Sequence, residues 1–556
     1  MHTKGKSLDW RNRKWLIVLA VLAAVVLAAT LVGCGGAKTD GADSGTDSAA
    51  VDDTLRIALN ADVVKLDPAF GYDWTTCPVL ANIYEGILKY DNDNQLQVDL
   101  AESWEQVDDL TYKYVMRSDV KFSDGTPMTM EDVMYSMERI RSDELSSYVQ
   151  WMYANVDSIE QTGDWEFTVK LTQADALWKH TFATTGGMIV QKAYVEEKGE
   201  EFGTNNGKSL GTGPYVLDTW TAGSEIVLKY NPDWWGAASQ GEPDVKTIDF
   251  QVITEDATRV MASTSGQVDI DFVTPAEKLD EVKAADSVNL TLIPAAGLNF
   301  IAFNCQKAPF DDPNVRKAIA SAIDIKTQQE NAIKEYGNLT NYIPTPDSLY
   351  LFSENVYKDF EASAPKYEYD MAAAKDYLSK SKVPNGFECT IKIEGNSLNS
   401  TLALAWQQSL KELGITMNIE KIGWDELVST AFGAGSVDGI RDYDMLMCEW
   451  SSDFPDPSGV LTPIYDSANI PEGGSNFAAY DNPEVDKLLK SQAALPDGDE
   501  RAQQMTEMMA LAGEDVPYYI WTHQNWRFTS SKRIKEGVTN WSNMWIWNAY
   551  VKDIKL

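Results

Sequence analysis

Short hydrophobic stretches recur along the chain between polar turns, a pattern that predicts β-strands. Thr54–Leu59 and residues 112–116 are two of them, and the turn dipeptide Asp124-Gly125 follows the second. Between these strands, residues 77–89 have the pattern of a helix. Strand and helix patterns alternate in this way along the whole chain, with no internal repeat of 20–50 residues. This alternation predicts an α/β fold.

Three predicted helices have recognisable ends. Thr129 is the expected N-cap of a helix over 129–140, whose first turn is acidic. A helix over 311–323 begins with acidic residues and a proline. A third helix ends at Gly414, and a strand over 415–419 follows at once. The last join is typical of a compact α/β unit.

The N-terminus has the three zones of an export signal. Five Lys and Arg residues precede an uncharged run over 15–32, which ends in Leu31-Val32-Gly33-Cys34. This tetrad resembles the bacterial lipobox, whose Cys is diacylated and becomes the new N-terminus, and two acyl chains anchor a protein stably. An uncleaved anchor is the alternative, because the run could span a bilayer. We expect a signal peptide at 1–33, lipid on Cys34 and a flexible tether at 34–53.

Composition limits the partners and the chemistry. The 556 residues include 84 acidic and 47 basic ones, and the formal net charge of −37 opposes binding to nucleic acid. This length predicts two or three lobes. With only three His and no Cys-x-x-Cys motif, we expect no metal and no cofactor. Apart from Cys34, the cysteines are Cys77, Cys305, Cys389 and Cys448, and the sequence leaves open whether they form disulfides or buried thiols.

Enzyme motifs are incomplete in this sequence. Residues 203–209 miss the phosphate-loop spacing by one residue, and Ser379-Lys-Ser-Lys382 lacks the partner motifs of penicillin-recognising enzymes. Asp453 and Asp456 form a close acidic pair like that of a glycosidase, but such pairs are common on solvated loops. We therefore predict that the chain has no catalytic residues and is not an enzyme.

Eight blocks of sequence point to one family. They are Leu66-Asp-Pro68 with Asn82-Ile-Tyr-Glu-Gly-Ile-Leu88, Leu100-Ala-Glu-Ser-Trp104, Val120-Lys-Phe-Ser-Asp-Gly-Thr-Pro127 with Asp132-Val133, Gly211-Thr-Gly-Pro-Tyr215, Leu228-Lys-Tyr-Asn-Pro-Asp-Trp-Trp-Gly236, Gly266-Gln-Val-Asp-Ile270, Pro309-Phe-Asp-Asp312 with Val315-Arg316, and Trp450-Ser-Ser-Asp-Phe-Pro-Asp-Pro457. In this order they resemble the extracytoplasmic solute-binding proteins of peptide-type ABC importers, called family 5. The resemblance covers nearly all of the chain after the tether.

This resemblance implies a two-lobed, periplasmic-binding-protein-like α/β fold of type II (cluster C-like). It further implies an extra subdomain on lobe I and a hinge that the chain crosses twice, near 296–304 and near 518–525. The implied division places lobe I at 54–97, 211–297 and 525–556, the extra subdomain at 98–210, and lobe II at 298–524.

The resemblance also implies which residues contact the ligand. The expected set is Tyr72, Asp73, Trp74, Trp424, Glu449, Trp450, Ser451 and Asp453. The first three lie on a loop expected to follow the ligand backbone, and the strand end at 449–451 is expected to pair with peptide backbone. Asp453 is expected to bind the α-amino group, and Trp424 to line a pocket. Leu446-Met447 stands where oligopeptide binders can carry an arginine, so no residue is assigned to a ligand carboxylate.

The predicted function is capture of peptides in the cleft between the lobes and their delivery to an ABC permease. The site of action would be outside the cytoplasm, at the membrane that holds the lipid. One alternative keeps the fold and changes the ligand to an oligosaccharide or another solute, since Trp74, Trp424 and Trp450 could stack on sugar rings. A second alternative is a sensor or adhesion lipoprotein that binds without transport.

Overall fold

The structure is a computed structural model that describes residues 52–339, 353–538 and 545–556. The predicted signal peptide, the lipid site Cys34 and all but the end of the predicted tether lie outside the described residues. Within the described parts of the chain, no helix is long and apolar enough to cross a bilayer.

Strands are distributed over the whole described chain. They are β1 (Thr54–Leu59), β2 (Leu88–Tyr90), β3 (Leu96–Val98), β4 (Ala101–Asp108), β5 (Thr111–Met116), β6 (Val156–Gly163), β7 (Glu166–Leu171), β8 (Tyr215–Thr221), β9 (Glu225–Tyr230), β10 (Thr247–Val252), β11 (Ile270–Asp271), β12 (Val288–Phe303), β13 (Gly337–Asn338), β14 (Glu388–Glu394), β15 (Thr416–Ile422), β16 (Met445–Ser451) and β17 (Tyr518–Ser531).

Helices lie between the strands in the order that an α/β chain requires. They are α1 (Thr76–Ile83), α2 (Met130–Arg141), α3 (Trp178–Thr181), α4 (Lys192–Lys198), α5 (Ala237–Gln240), α6 (Asp256–Ser265), α7 (Leu279–Lys283), α8 (Pro313–Ala322), α9 (Ile325–Gln328), α10 (Glu354–Ser363), α11 (Met371–Ser379), α12 (Ser397–Leu410), α13 (Trp424–Ala431), α14 (Ser458–Tyr465), α15 (Pro483–Gln492), α16 (Asp499–Asp515) and α17 (Trp545–Asn548).

One mixed sheet of eleven strands connects most of these elements. Its order is β15-β14-β16-β12-β17-β11-β1-β10-β9-β8, and β13 adds to β17. A separate antiparallel sheet, β4-β5-β7-β6, and the hairpin β2-β3 come from the segment between β1 and β8. The described chain therefore contains one long sheet and a smaller sheet built from a single contiguous insertion.

The two long strands β12 and β17 join the two halves of the main sheet. Val288–Pro294 pairs with Asn525–Ser531, and Leu298–Ala302 pairs with Tyr518–His523, with a register shift between the two stretches. The first stretch lies beside β11 in one half, and the second lies beside β16 in the other half. The chain thus passes twice between the halves, once along each long strand.

The last four residues of β12, 300–303, are all apolar because both faces of the strand are covered there. Phe300 and Ala302 point into one core, whereas Ile301 and Phe303 point into a second core on the opposite face. Successive side chains on a strand point to opposite faces, so a strand between two cores needs an apolar residue at every position. A third large core packs under β1, β9 and β10, and a fourth under the smaller sheet.

The predicted helix ends are confirmed where capping is local. Thr129 and Asp132 form a reciprocal capping box at the start of α2, and Asp312 caps α8 with Pro313 in its first turn. Gly414 adopts φ +74°, the left-handed conformation that favours glycine, between the helical segment and β15. Each of these three signals and the helix end that it determines lie within one turn of chain. This is why the sequence alone could predict these helix ends.

The predicted helix over 77–89 is wrong in its second half. Helix α1 ends at Ile83, and residues 88–90 form β2 instead. The backbone turns away because the segment pairs elsewhere: the Leu88 amide donates to the Phe182 carbonyl at 3.0 Å, and a Cβ on Gly86 would lie 2.9 Å from that same carbonyl. A contact distant in sequence therefore overrides the local helical pattern.

The thiol question left open by the sequence has a clear structural answer. Cys77, Cys305, Cys389 and Cys448 are all free. Burial raises the pKa of Cys305 to about 11 and that of Cys389 to about 12. These thiols are therefore unreactive side chains of the interior.

Candidate functional site

The loop expected to follow the ligand begins at a buried ion pair. Arg139 of α2 donates to both carboxylate oxygens of Asp67, at 2.9 and 2.7 Å, and Asp67 also accepts from the Ala69 amide at 3.1 Å. The Asp67 side chain is fully buried. A bidentate arginine–carboxylate pair has a fixed geometry, so this pair fixes the first residues of the loop.

Asp73 ends the same loop as a cap for α1. Its Oδ1 accepts from the Thr75 and Thr76 amides at 3.0 and 2.8 Å and from the Thr75 hydroxyl at 2.6 Å. Its Oδ2 is buried and has no hydrogen-bond partner among the described residues. One oxygen of this predicted ligand contact is therefore committed to the helix, and the other is unused.

Tyr72 lies in an aromatic cluster next to Asp453. Its ring stacks on Trp547 of α17 with centroids 6.0 Å apart, and meets Trp151 edge-on at 6.3 Å. The Trp547 indole N–H donates to the backbone carbonyl of Asp453 at 2.7 Å, and the Tyr72 hydroxyl donates to its carboxylate. Two predicted site residues that are far apart in sequence are thus adjacent.

The Asp453 carboxylate is an uncompensated acid. It forms no ion pair with any lysine or arginine among the described residues. Burial raises its pKa to about 6, although the hydrogen bond from Tyr72 opposes that rise. A desolvated carboxylate without a cation is a strong site for a positively charged ligand group.

Trp74 lies on the outer side of the loop. Its side chain is 40% exposed, and its ring meets Trp526 of β17 at 4.6 Å with a tilt of 51°. One part of the Trp74 ring packs on Trp526 and the other part is exposed to solvent, so the exposed part provides a flat apolar surface for another molecule.

The three residues of the strand end at 449–451 make different contacts. Glu449 accepts from the Gln524 side chain at 2.6 Å. Trp450 instead turns into the core, where its indole N–H donates to the Gly459 carbonyl at 2.9 Å and its ring meets Phe477. Ser451 pairs with Gly297 across the ladder. Trp450 is therefore half-buried, with its ring supported by the core.

A cavity of about 470 Å³ opens where β14 and β16 separate. The two strands pair only at Met445 and Leu446, and the residues that follow on β16 have β12 on one edge and no described strand on the other. Glu394, at the end of β14, and Glu449 line the cavity from this half.

The opposite wall comes from the other half of the main sheet. It includes Asn60 after β1, Arg259 of α6 and Glu277. Trp424, the first residue of α13, also lines the cavity and is 47% exposed. The cavity therefore contains two predicted site residues, Glu449 and Trp424, and spans both halves of the sheet.

One lining residue was missed by the sequence analysis. Arg527 of β17 reaches the cavity, whereas the resemblance to oligopeptide binders implies an arginine only at 446–447, on β16. The signal was present but weak: Arg527 is the one charged residue within the fourteen-residue run of β17. A lone charge in a long, mostly buried strand is evidence for a polar environment at that position.

The two aspartates considered for glycosidase chemistry, Asp453 and Asp456, have different surroundings. Asp456 is fully buried and forms a bidentate pair with Arg501, at 2.9 Å for both oxygens. That pair holds the pKa of Asp456 well below its usual range. His180 of α3 lies 3.8 Å from the same carboxylate. Asp456 is therefore a permanently charged structural group.

Comparisons with known proteins agree with this architecture. The family model of the bacterial extracellular solute-binding proteins, family 5, matches residues 95–472. The probable D,D-dipeptide-binding periplasmic protein DdpA of Escherichia coli is 27% identical over 500 residues, covering 88% of this chain and 92% of its own length. The glutathione-binding protein GsiB of Escherichia coli is 25% identical over 495 residues, with 88% and 91% covered.

The same fold is found in a solved structure. The periplasmic binding protein DppA of Helicobacter pylori, in complex with the peptide STSA, superimposes with a TM-score of 0.72 at 21% identity, covering 90% of this chain and 98% of its own. The predicted two-lobed α/β fold is thereby confirmed. With a family model that covers most of its length, the chain belongs to the bacterial extracellular solute-binding proteins, family 5, which bind a solute and do not convert it chemically.

Proposed function

We propose that this protein captures peptides in the cavity between its two lobes and delivers them to an ABC permease. One observation carries the proposal: the strand β16 borders the cavity, leaves an edge unpaired by any described strand, and leads directly into the uncompensated carboxylate of Asp453. A strand edge pairs with the backbone of an extended peptide of any sequence. A half-buried carboxylate with no cation paired to it, at the end of this strand, suits the peptide's free ammonium group.

The similar proteins support a peptide ligand. DdpA is described as binding D,D-dipeptides, GsiB as binding glutathione, and DppA was solved with a four-residue peptide. In our proposal the Tyr72–Trp74 loop lies along the ligand, Asp453 binds its amine, and Trp424 borders a side-chain pocket. The strand end at 449–451 pairs with the peptide backbone, and the half-buried Trp450 ring is supported there by Phe477.

The proposal includes the division of the chain into lobes. Lobe I comprises 54–97, 211–297 and 525–556, with the extra subdomain at 98–210, and lobe II comprises 298–524. The register shift between β12 and β17 supports a hinge at this boundary, because a break in a ladder is a place where two halves of a sheet can bend. In this structure the Tyr72 loop already contacts the Asp453 loop through the hydrogen bond from the Tyr72 hydroxyl.

The proposal also includes attachment to the membrane. The Leu31–Cys34 tetrad at the end of the apolar run supports a diacylated Cys34. With a formal net charge of −37, the protein is repelled by anionic lipid, so the acyl chains and not the surface charge would hold it near its permease.

Isothermal titration with short peptides and their N-acetylated counterparts tests the ligand. Wild-type protein should bind the free peptides and lose affinity for the acetylated ones by about 10²–10³-fold, because acetylation leaves a buried carboxylate unpaired. Asp453→Ala should lose a similar factor for free peptides and little more on acetylation, since both changes break one interaction.

The matched control is Asp466→Ala, a half-buried aspartate of the same lobe whose carboxylate caps a short helical turn. It should bind both peptide sets as wild type does. Equal binding of free and acetylated peptides by the wild type would remove the amine role of Asp453. Binding of oligosaccharides, with no binding of any peptide, would instead support a sugar ligand stacked on Trp424.

A further inference from the structure

The cavity contains two arginines in different states of charge compensation. Arg259 of α6 is paired with Asp271 at 3.1 Å and with Asp256 at 2.6 Å, and so is fully neutralised. Arg527 of β17 forms no ion pair with any carboxylate among the described residues. Of the two guanidinium groups that line this cavity, Arg527 is therefore the one whose positive charge is not already balanced.

The protein holds Arg527 in place without neutralising it. Its Nε donates to the Thr274 carbonyl at 3.1 Å, and its Nη1 donates to the carbonyls of Asn525 at 2.7 Å and Tyr336 at 3.5 Å. The guanidinium also lies over the Tyr336 ring, 5.0 Å from its centroid. Neutral carbonyls and a ring orient a cation but supply no counter-charge. The Nη2 group makes no hydrogen bond to a described residue.

The desolvation of the Arg527 guanidinium is only partly compensated by its surroundings. Burial lowers the pKa of Arg527, and the charges of Glu277 and Glu449 oppose that lowering without either residue reaching it. Glu449 is itself engaged by the Gln524 amide. A desolvated, fixed cation with a free planar edge is complementary to a carboxylate, which accepts two parallel N–H bonds.

We propose that Arg527 binds a carboxylate of the ligand and thereby selects ligands that carry one. The inference rests on the proposed peptide function, in which the C-terminal carboxylate is the simplest source and an acidic side chain is the other. Glu394 and Glu449 line the same cavity, so a ligand of mixed charge fits better than a purely anionic one.

The test uses the full-length protein in detergent and a library of tripeptides to pentapeptides in three forms. The first has free C-termini, the second has C-terminal amides, and the third replaces Asp and Glu by Asn and Gln. Bound members are identified by affinity-selection mass spectrometry and then titrated calorimetrically. If Arg527 binds the C-terminal carboxylate, wild type should bind the amidated forms on the order of 10²-fold more weakly than the free acids. If it binds an acidic side chain, the same loss should appear with the side-chain-neutral forms instead.

The variants separate the role of Arg527 from its contribution to folding. Arg527→Gln should lose the same factor in affinity for the free acids, and neutralising the ligand carboxylate should not weaken its binding further. Arg527→Lys should retain part of the preference for free acids, because lysine keeps the positive charge but not the planar guanidinium. The control Arg117→Gln removes an exposed guanidinium paired with Asp119 outside the cavity and should behave as wild type. Equal melting temperatures for Arg527→Lys and wild type would exclude misfolding as the cause.

Two different failures are distinguishable. If wild type binds peptides but binds free acids and both neutralised forms equally, the assignment of Arg527 is overturned while the peptide function stands. If no peptide binds at all, the peptide function fails, and thermal-shift assays with succinate, galacturonate and their methyl esters decide the assignment. Stabilisation by the acids alone, lost in Arg527→Gln, would support it, and no difference between acids and esters would overturn it.

Discussion

At the scale of single residues, two aspartates on one loop show how environment sets their chemistry. Asp456 is neutralised by Arg501, and its pKa lies well below the usual range. Asp453, three residues earlier, has no cation beside it, and its pKa is raised to about 6 by burial. Asp456 is therefore suited to a structural ion pair, whereas Asp453 is suited to binding a positively charged group of the ligand.

The raised pKa of Asp453 predicts a pH dependence of peptide affinity. Below about pH 6 the free protein carries a protonated Asp453, and binding an ammonium group must release that proton. Affinity for a free-amine peptide should therefore fall as pH decreases through 6, by up to tenfold per pH unit. It should also fall above roughly pH 8, where the peptide amine itself loses its proton.

Titration calorimetry at pH 4.5 to 8.5 measures this profile. The neighbouring Tyr72, Cys77 and Tyr90 all have raised pKa values and stay neutral in this range, and Asp456 stays charged throughout. Asp453→Asn should bind more weakly and show no fall below pH 6. A wild-type profile that is flat between pH 4.5 and 7 would contradict the assignment.

At the scale of elements, helix α1 is the platform for the ligand-facing loop. Asp73 caps its first turn, and the Gly213 amide donates to the Ile83 carbonyl at 2.9 Å at its other end. A Cβ on Gly211 would lie 2.1 Å from that carbonyl, so only glycine allows the backbone to approach so closely. The family blocks around 66–88 and 211–215 thus build one structural unit, with the loop held between an ion pair and a cap.

The role of Asp73 as a cap predicts a measurable loss of stability. Asp73→Ala should lower the free energy of unfolding by about 1 kcal/mol, since it leaves the Thr75 and Thr76 amides, just before and at the start of α1, without this acceptor. Asp73→Asn should lose much less, because asparagine caps helices nearly as well. Urea denaturation followed by tryptophan fluorescence compares the three proteins. Equal midpoints for wild type and Asp73→Ala would show that the cap contributes nothing.

The elements also show how far local sequence patterns reach. Caps and turns such as Thr129 and Gly414 were predictable because the signal and its structure lie within one turn. The early end of α1 was not, because it depends on hydrogen bonding with the Phe182 carbonyl far along the chain. The apolar run over 300–303 in β12 likewise depends on distant segments, because it lies between two cores that they build.

At the scale of the whole molecule, the cavity is made by segments that only the fold brings together. Its walls come from residues near 60, 256–277, 394–399, 424 and 447–449, and from Arg527. The resemblance to family 5 predicts ligand contacts on β16, at Trp424 and on the Tyr72 loop, and of these residues Glu449 and Trp424 line the cavity. It did not predict Arg527, because no local pattern relates a charge on β17 to a cavity beside β14 and β16.

The proposed tether belongs to this scale as well. Cys34→Ala should abolish lipid attachment, because the thiol is the acylated group of a lipobox. Growth with a clickable palmitate followed by gel fluorescence measures the label on wild type and variant. As a control, Cys305→Ala removes a free thiol of the described chain and should leave labelling unchanged. Equal labelling of Cys34→Ala and wild type would contradict the lipoprotein proposal.

The most direct test of the central claim is native mass spectrometry of the protein purified from cells that make it, followed by fragmentation of the ligand it releases. We predict one ligand per protein, with fragments separated by amino-acid residue masses and with a free N-terminus. The bound fraction should fall sharply in Asp453→Ala and remain unchanged in Asp466→Ala. A sugar or other non-peptide ligand, or an equal peptide load in wild type and Asp453→Ala, would contradict capture of peptides through the Asp453 carboxylate.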